Sequence, residues 1–394
     1  MKKLISLMMA VLLLVGVLAG CGEKSAEPVE TPVVEAPVVE AEKDETSTDK
    51  ETLAEEVPET RVVMDALGRE VEVPYEVDAI IALGNAPRMI TFLGLADRVV
   101  GAAGMDFETI TPVTAYAYAT KDLWCNLPLV GSDGMGNTTY YPEEIIMCQP
   151  DVILCTYTED IVNDLESKTG IPVVAVGMGT LFEDDYDDAL RILGEACGVS
   201  ERAEEVIAYI DACLEDLNAR TCDVPDEEKP TVLSAAATFK GAHGIEGVRL
   251  VDSVLTAINA NNIAAASAEG TTAQTAEVDR EQILAWNPDY IFCDCAGIPL
   301  VKQDMAEDPN FYAQLTAFNE GRIYQHPSTT SYYSNLEIPL LNCYFIGSVL
   351  YPEAFADVDL EAKAAEIFEF FLGDADFMNK LNESGAGYGL VTAE

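Results

Sequence analysis

Cysteine and histidine are the residue types of this chain that most readily hold a metal or act as nucleophiles. The 394 residues contain ten cysteines and two histidines. Cys293-Asp294-Cys295 is a single pair with the wrong spacing for a structural zinc site. Two histidines are too few for a manganese or zinc site built from several imidazoles. We therefore predict no metal site within the protein, and the sequence suggests no cofactor.

Cys21 differs from the other cysteines because its sequence context suggests a covalent modification. A cationic start at Lys2 and Lys3 precedes an apolar run that is shorter than the roughly 20 residues a spanning helix needs. This pattern predicts a secretory signal over residues 1–20. Leu18-Ala19-Gly20-Cys21 resembles the lipobox of bacterial lipoproteins, which implies cleavage before Cys21 and a lipid on its sulfur. The alternative is an ordinary signal peptide with a chance cysteine.

The composition of residues 21–60 and the overall charge limit where the protein can be located and which partners it can bind. The segment is rich in Glu, Pro, Val, Thr and Ser and has no aromatic residue, which predicts a disordered, acidic, lipid-anchored tether. The chain has 69 acidic and 22 basic residues, a net charge of −47. This charge excludes a general nucleic-acid binder and argues against electrostatic attachment to anionic lipid.

Short β-branched runs alternate with helical stretches in the remaining chain. Such alternation predicts an α/β fold with parallel sheets covered on both faces. A single core stops growing near about 250–300 residues, so two lobes are expected. We predict an N-terminal α/β lobe over 61–198, one long linking helix over 199–222, and a C-terminal α/β lobe over 223–394. The first lobe is expected to begin with a hairpin over Arg61 to Val73, and Val248 to Ala257 of the second lobe are expected to form a helix.

The two halves contain an internal repeat. Pro142 to Cys155 and Arg280 to Cys293 both read Glu-x-Ile-apolar, three residues, Pro-Asp, and then a strand. The proline ends the helix and makes the residue before it extended. Each lobe therefore places one glutamate, Glu143 or Glu281, in the first turn of an equivalent helix.

At this point the chain resembles ABC importer substrate-binding lipoproteins of the iron-siderophore and vitamin B12 class, over Arg61 to Glu394. The resemblance rests on both Pro-Asp segments and on the motifs Asp65-Ala66-Leu67-Gly68-Arg69, Leu93-Gly94-Leu95-Ala96-Asp97-Arg98-Val99-Val100-Gly101, Asn319-Glu320-Gly321-Arg322-Ile323-Tyr324 and Tyr351-Pro352-Glu353. It implies two Rossmann-like lobes, a rigid linking helix with small closure motions, and a ligand in the cleft. It also implies that Glu143 and Glu281 dock onto arginines of the permease. The alternative for these glutamates is that they only compensate the helix dipole.

Ligand residues are expected on loops after the strands, as in other open parallel sheets. The candidates are aromatic residues and a few polar or cationic ones: Asn85, Arg88, Tyr116, Tyr157, Lys240, His243, Tyr332 and Tyr333. Rings that stack and cations that meet oxygens suit a large, partly apolar chelate. His243 is expected either to contact the ligand or to fix its own loop by a hydrogen bond. Alanine at Arg88, Tyr157, Lys240 or His243 is expected to weaken binding and to leave thermal unfolding nearly unchanged.

The predicted function is that of a monomeric, extracytoplasmic binding protein that serves an ABC permease and its ATPase. Its expected ligand is an iron complex, either a ferric siderophore or haem, with a corrinoid as the alternative within the class. A secreted tetrapyrrole- or metal-handling enzyme is the rival from another class. Against an enzyme, the sequence has no recognisable Ser-His-Asp set, glycine-rich phosphate loop or cysteine cluster. The predicted location is the outer face of the cell membrane.

Overall fold

The computed structural model describes residues 59–105, 107–134, 137–331 and 333–392. The predicted signal peptide, Cys21, the tether up to residue 58 and Tyr332 lie outside the described residues. No helix in the described part of the chain is long and apolar enough to cross a membrane.

The first half begins with the predicted hairpin and continues as alternating strands and helices. Its elements are β1 (Thr60–Met64), β2 (Glu70–Pro74), β3 (Ile80–Leu83), α1 (Ala86–Phe92), β4 (Val99–Ala103), α2 (Ala115–Trp124), β5 (Leu129–Gly134), β6 (Asn137–Tyr140), α3 (Pro142–Cys148), β7 (Val152–Cys155), α4 (Glu159–Thr169), β8 (Val173–Ala175) and α5 (Asp184–Cys197).

The first-half sheet has the strand order β6-β5-β4-β3-β7-β8 and is parallel except for the β5–β6 pair. Strands β3 and β7 are neighbouring interior strands of this sheet, and every residue of both strands is buried. A strand covered on both faces reads as a continuous apolar run, as Val152-Ile153-Leu154-Cys155 does. The parallel order brings the carboxyl ends of β3 and β7 to the same edge.

The linking helix and the second half follow. Their elements are α6 (Ser200–Thr221), β9 (Thr231–Ala235), β10 (Gly247–Arg249), α7 (Ser253–Ala257), β11 (Asn261–Asn262), β12 (Thr275–Glu277), α8 (Arg280–Trp286), β13 (Tyr290–Asp294), α9 (Ile298–Glu307), α10 (Pro309–Tyr312), α11 (Thr316–Asn319), β14 (Ile323–His326), β15 (Thr330–Ser331), β16 (Tyr333–Ser334), α12 (Glu337–Leu350), α13 (Leu360–Leu372), α14 (Phe377–Glu383) and β17 (Gly389–Leu390).

The second-half sheet has the order β11-β9-β13-β14-β17, and only the β14–β17 pair is antiparallel. The fold class is therefore confirmed: two α/β lobes with mainly parallel sheets. The long linking helix predicted over 199–222 is confirmed as α6. The exact division into domains stays a prediction, because α13 of the second half also packs on the first: Phe371 meets Phe92 with ring centroids 5.0 Å apart.

One apolar core runs through both halves. It joins residues of α1 and α5 to residues of α6, α12 and α13, including the buried Phe92, Leu193, Ile207, Tyr344 and Phe368. A close-packed core shared by two lobes resists their independent motion. This packing agrees with small closure motions.

Two expectations about local structure were wrong. Val248 to Ala257, expected as one helix, contains the strand β10 and the short helix α7. The Asp252 carboxylate accepts hydrogen bonds from the N–H groups of Val254 and Leu255, so it caps the helix and fixes where it begins. Tyr116, expected on a loop after a strand, lies in α2.

Candidate functional site

The repeated segments have the same local structure in both lobes. Helices α3 and α8 each bury one isoleucine, Ile145 or Ile283, and each ends at a residue with positive φ. The aspartate that follows then fixes the start of the neighbouring strand. Asp151 Oδ2 accepts from the N–H groups of Asp78 and Ala79, and Asp289 Oδ2 accepts from the N–H and hydroxyl of Thr231.

Glu143 and Glu281 occupy matching places in this repeat. Both lie in the first turn of their helix, and both are exposed. Next to Glu143, α3 also exposes Ile146 and Met147, at 45% and 77%. The structure thus gives the two carboxylates equivalent, accessible positions, and their role in docking stays a prediction.

Four of the predicted ligand residues gather where β3 and β7 end. Asn85 follows β3, and its N–H donates to Thr156 Oγ1 beyond β7. Arg88 lies in the first turn of α1, and its guanidinium stands over the Tyr116 ring at 4.7 Å. Tyr157 follows β7, beside Gly84. All four side chains are buried, so in this structure they form a packed floor and not an open surface.

Arg88 joins the two lobes. It is 0% exposed and donates to Asn85 within its own lobe, to the Ser331 carbonyl at 3.0 Å and to Asn335 Oδ1 at 3.2 Å. Buried Glu337 lies near enough for Arg88 to lower its pKa, although burial raises that pKa more strongly. From these contacts we expect removal of Arg88 to destabilise the fold. This differs from the expectation from sequence that alanine at Arg88 would leave thermal unfolding nearly unchanged.

Lys240 and His243 lie on the loop after β9. Lys240 is exposed and has a φ of 52°. The His243 ring stacks on Phe239 at 4.0 Å, and His243 Nε2 is 2.8 Å from the Phe239 carbonyl oxygen. Of the two roles expected for His243, ligand contact or a hydrogen bond that fixes its own loop, this contact corresponds to the second. Tyr333 instead belongs to β16 and borders a narrow space of about 20 Å³ shared with Pro87 and Tyr116.

A larger cavity of about 370 Å³ lies between the lobes. The loop after β8 forms one wall, and β10, the start of α7 and the β15–β16 segment form the other. Its lining residues are Met178, Gly179, Thr180, Leu181, Asp185, Arg249, Val251, Asp252, Ser253, Val254, Gln274, Thr329, Thr330 and Ser334. Asn85 Nδ2 donates to the Met178 carbonyl, which ties this wall to the buried floor.

None of the predicted ligand residues that the structure describes lines this cavity, and the sequence interpretation missed the residues that do. Because Val248–Ala257 was expected to be one helix, Arg249 was not recognised as the end of a strand and was not among the predicted ligand residues. Asp252-Ser253 carries the usual side chains of a helix N-cap, and this signal would have placed the helix start after Arg249. The threonines at 329 and 330 follow β14, where the strand-end rule does apply.

Two α/β lobes that share a polar cavity define a two-lobed solute-binding protein. The family described as "Periplasmic binding protein" matches residues 80–330, and the chain belongs to this family. It is a solute-binding protein of the kind that serves ABC transporters.

Two similar proteins agree with this class, and a solved structure agrees with the fold. An uncharacterized ABC transporter substrate-binding lipoprotein of Bacillus subtilis, YvrC, is 24% identical over 332 residues, which are 82% of this chain and 90% of YvrC. The molybdate-binding protein MolA of Haemophilus influenzae is 22% identical over 340 residues, 79% of this chain and 90% of MolA. A periplasmic solute-binding protein of Veillonella parvula matches the fold with a TM-score of 0.60, at 22% identity, over 80% of this chain and 93% of that one.

Proposed function

We propose that this binding protein captures an iron complex between its lobes and delivers it to an ABC permease. The observation that carries the proposal is the polar inter-lobe cavity of about 370 Å³. Its hydroxyl, amide and guanidinium groups suit a ligand that presents oxygen atoms. The lining also contains two carboxylates, and both already accept hydrogen bonds: Asp185 from Thr180, and Asp252 from the N–H groups of Val254 and Leu255. A ferric siderophore, whose metal is wrapped in oxygen donors, fits this lining better than haem does.

The lining is less suited to a haem or corrinoid metal. Haem iron is held by His, Cys, Tyr or Met side chains, and Met occurs in cytochromes together with His. Among the described residues that line the cavity, Met178 is the one side chain of these types. His243, which could have served, is engaged with its own loop. A corrinoid remains the alternative ligand.

The ligand class can be tested by purifying the full chain from its own host. Native mass spectrometry and the visible spectrum of the purified protein identify a co-purified ligand. A mass and charge-transfer band of a ferric siderophore would agree with the proposal. A Soret band would favour haem, and a corrin spectrum would favour the alternative. Purified protein that turns over a tetrapyrrole would instead place it among the enzymes.

The proposal includes attachment to the membrane through residues 1–60. Cleavage after residue 20 and lipid on Cys21 would leave the binding lobes on a tether at the extracytoplasmic face, and YvrC is itself named as a lipoprotein. Two acyl chains contribute about 0.8 kcal/mol per buried methylene, which is ample for stable anchoring. Cys21→Ser should move the protein from the membrane fraction to the soluble fraction. Retention of Cys21→Ser in the membrane fraction would contradict lipid attachment at this residue.

Docking on the permease is proposed to involve Glu143 and Glu281. Their equivalent positions in the two lobes support this role, since two like carboxylates can meet two basic patches of a symmetric partner. Neither residue lines the inter-lobe cavity. Ligand binding and docking can therefore be measured separately.

A further inference from the structure

Arg249 differs from every other arginine of the chain. All ten arginines lie in the described residues. The other nine each make a hydrogen bond or an ion pair of ordinary length. Within the described residues the Arg249 guanidinium donates no hydrogen bond, and its one ion pair, with Asp294 Oδ2, spans 3.7 Å. That distance is too long for a hydrogen bond.

Burying the Arg249 guanidinium in this way costs free energy unless another group accepts hydrogen bonds from it. The Arg249 side chain is only 14% exposed. Its Nη2 group is buried and has no hydrogen-bond partner among the described residues, so it has lost water without gaining a partner. Asp294 does not need Arg249 for its own hydrogen bonds, because its carboxylate already accepts from Ser328 Oγ at 2.8 Å and from the Ala296 N–H at 3.0 Å.

The backbone holds Arg249 firmly at the cavity wall. Arg249 pairs with Thr275 in the β10–β12 ladder. Asn262 Nδ2 also donates to the carbonyl oxygen of Arg249 at 3.2 Å. A second donor lies at the same space: Thr329 is 6% exposed and lines the cavity, and its Oγ1 has no hydrogen-bond partner in the part of the chain that the structure describes.

We infer that Arg249, assisted by Thr329, binds an anionic oxygen group of the ligand and so restricts the site to anionic chelates. The guanidinium fork matches the two oxygens of a carboxylate or catecholate. The inference rests on the proposed function, because it assumes that the ligand occupies the inter-lobe cavity. It adds that a ligand with an uncharged periphery is discriminated against, since it would leave these donors unpaired.

The test is isothermal titration of the full chain with four probes: ferric citrate, haemin, sodium molybdate and dicyanocobinamide. The first three carry anionic oxygens, and the fourth is a corrinoid with an uncharged amide periphery and no phosphate group. We expect at least one anionic probe to bind. Arg249→Gln should weaken that binding by about 100-fold, and Arg249→Lys, which keeps the charge without the fork, by about tenfold. Arg191→Gln, a surface change on α5, serves as the matched control.

Folding is controlled separately, because Arg249→Gln leaves Asp294 buried near no cation. The double variant Arg249→Met with Asp294→Asn removes both charges and nearly keeps the volume. It should show the same loss of anionic binding while its thermal unfolding stays close to that of the parent.

The outcomes separate the two proposals. If an anionic probe binds equally well to the parent and to both folded Arg249 variants, the inference is wrong, while the inter-lobe binding function stands. If dicyanocobinamide alone binds, or if none of the four probes binds, the anionic ligand class is rejected. An iron chelate co-purified from the host, with undiminished retention by Arg249→Gln, would uphold the proposed function and reject the role of Arg249.

Discussion

The segments after β3 and β9 start from equivalent positions and then diverge. In the strand pairing, Ile80 lies opposite Val152 and Val232 lies opposite Tyr290, so the two strands share one register within the repeat. By that register Gly84 corresponds to Ala236, and both have positive φ, 67° and 55°. Arg88 then corresponds to Lys240.

The consequences for the two cations are opposite. After β3 the chain enters α1 at once, with Pro87 in the first turn, and the helix carries Arg88 into the packed floor between the lobes. After β9 the chain forms an irregular loop, with a bridge between Thr238 and Ala242, and Lys240 stays exposed. Equivalent positions in a repeat thus share backbone geometry, while the next few residues decide whether a cation supports the fold or faces solvent.

The largest expected effect tests the burial of Arg88. Arg88→Ala removes a buried charge that links Asn85, Ser331 and Asn335 and leaves Glu337 without a nearby cation. The free energy of unfolding should fall by about 3 kcal/mol or more, as measured by urea denaturation. Lys240→Ala, the equivalent change in the second lobe, should alter it by less than about 0.5 kcal/mol. Similar losses in the two variants would contradict the contrast.

The next effect concerns the shared positive φ. Gly84→Ala should destabilise the protein by about 2 kcal/mol, because a Cβ would meet Thr156 Oγ1 and alanine disfavours this backbone region. The reciprocal change, Ala236→Gly, should be neutral or should stabilise by up to about 1 kcal/mol, since it relieves the same conformation. Thermal unfolding followed by circular dichroism measures both. Marked destabilisation by Ala236→Gly would show that the Ala236 methyl group packs too well to lose.

The two Pro-Asp aspartates allow a finer comparison. Asp151→Ala leaves two backbone N–H groups without their acceptor, and Asp289→Ala leaves one N–H and one hydroxyl that can rotate. We expect a loss of about 1–3 kcal/mol for each, with the larger loss for Asp151→Ala. Asp→Asn at each position keeps an acceptor oxygen and is the control. The reverse order of the two losses would refute this account.

The smallest expected effects concern the exposed glutamates. Glu143→Ala and Glu281→Ala should each weaken docking on the permease by about two- to fivefold, and the double variant more strongly. The measurements are uptake in cells and ligand titration of the purified protein, which should not change. Normal uptake with the double variant would leave only the helix-dipole role. Lost ligand binding would show that these residues support the cavity.

The sequence could predict much of the scaffold and little of the cavity. Strands β3 and β7, the linking helix α6 and the repeated Pro-Asp segments follow from apolar periodicity and proline punctuation, which act over a few residues. Asn85 and Tyr157 follow their strands as the strand-end rule predicts, and Arg88 lies beside them, whereas Tyr116 reaches the same place from a helix. The burial of Arg88 could not be read from the sequence, because it depends on Ser331 and Asn335, more than 240 positions away.

The sequence by itself determined the α/β class, the two-lobed plan and the equivalence of Glu143 and Glu281, since each depends on local pattern or on repetition. Only the tertiary structure decided which arginine supports the fold and which has unused donors. Arg88 and Arg249 carry the same side chain, but one meets acceptors from the opposite lobe and the other meets only Asp294 at 3.7 Å. The availability of a guanidinium depends on the groups that long-range packing brings within hydrogen-bonding distance, and local sequence does not encode those distances.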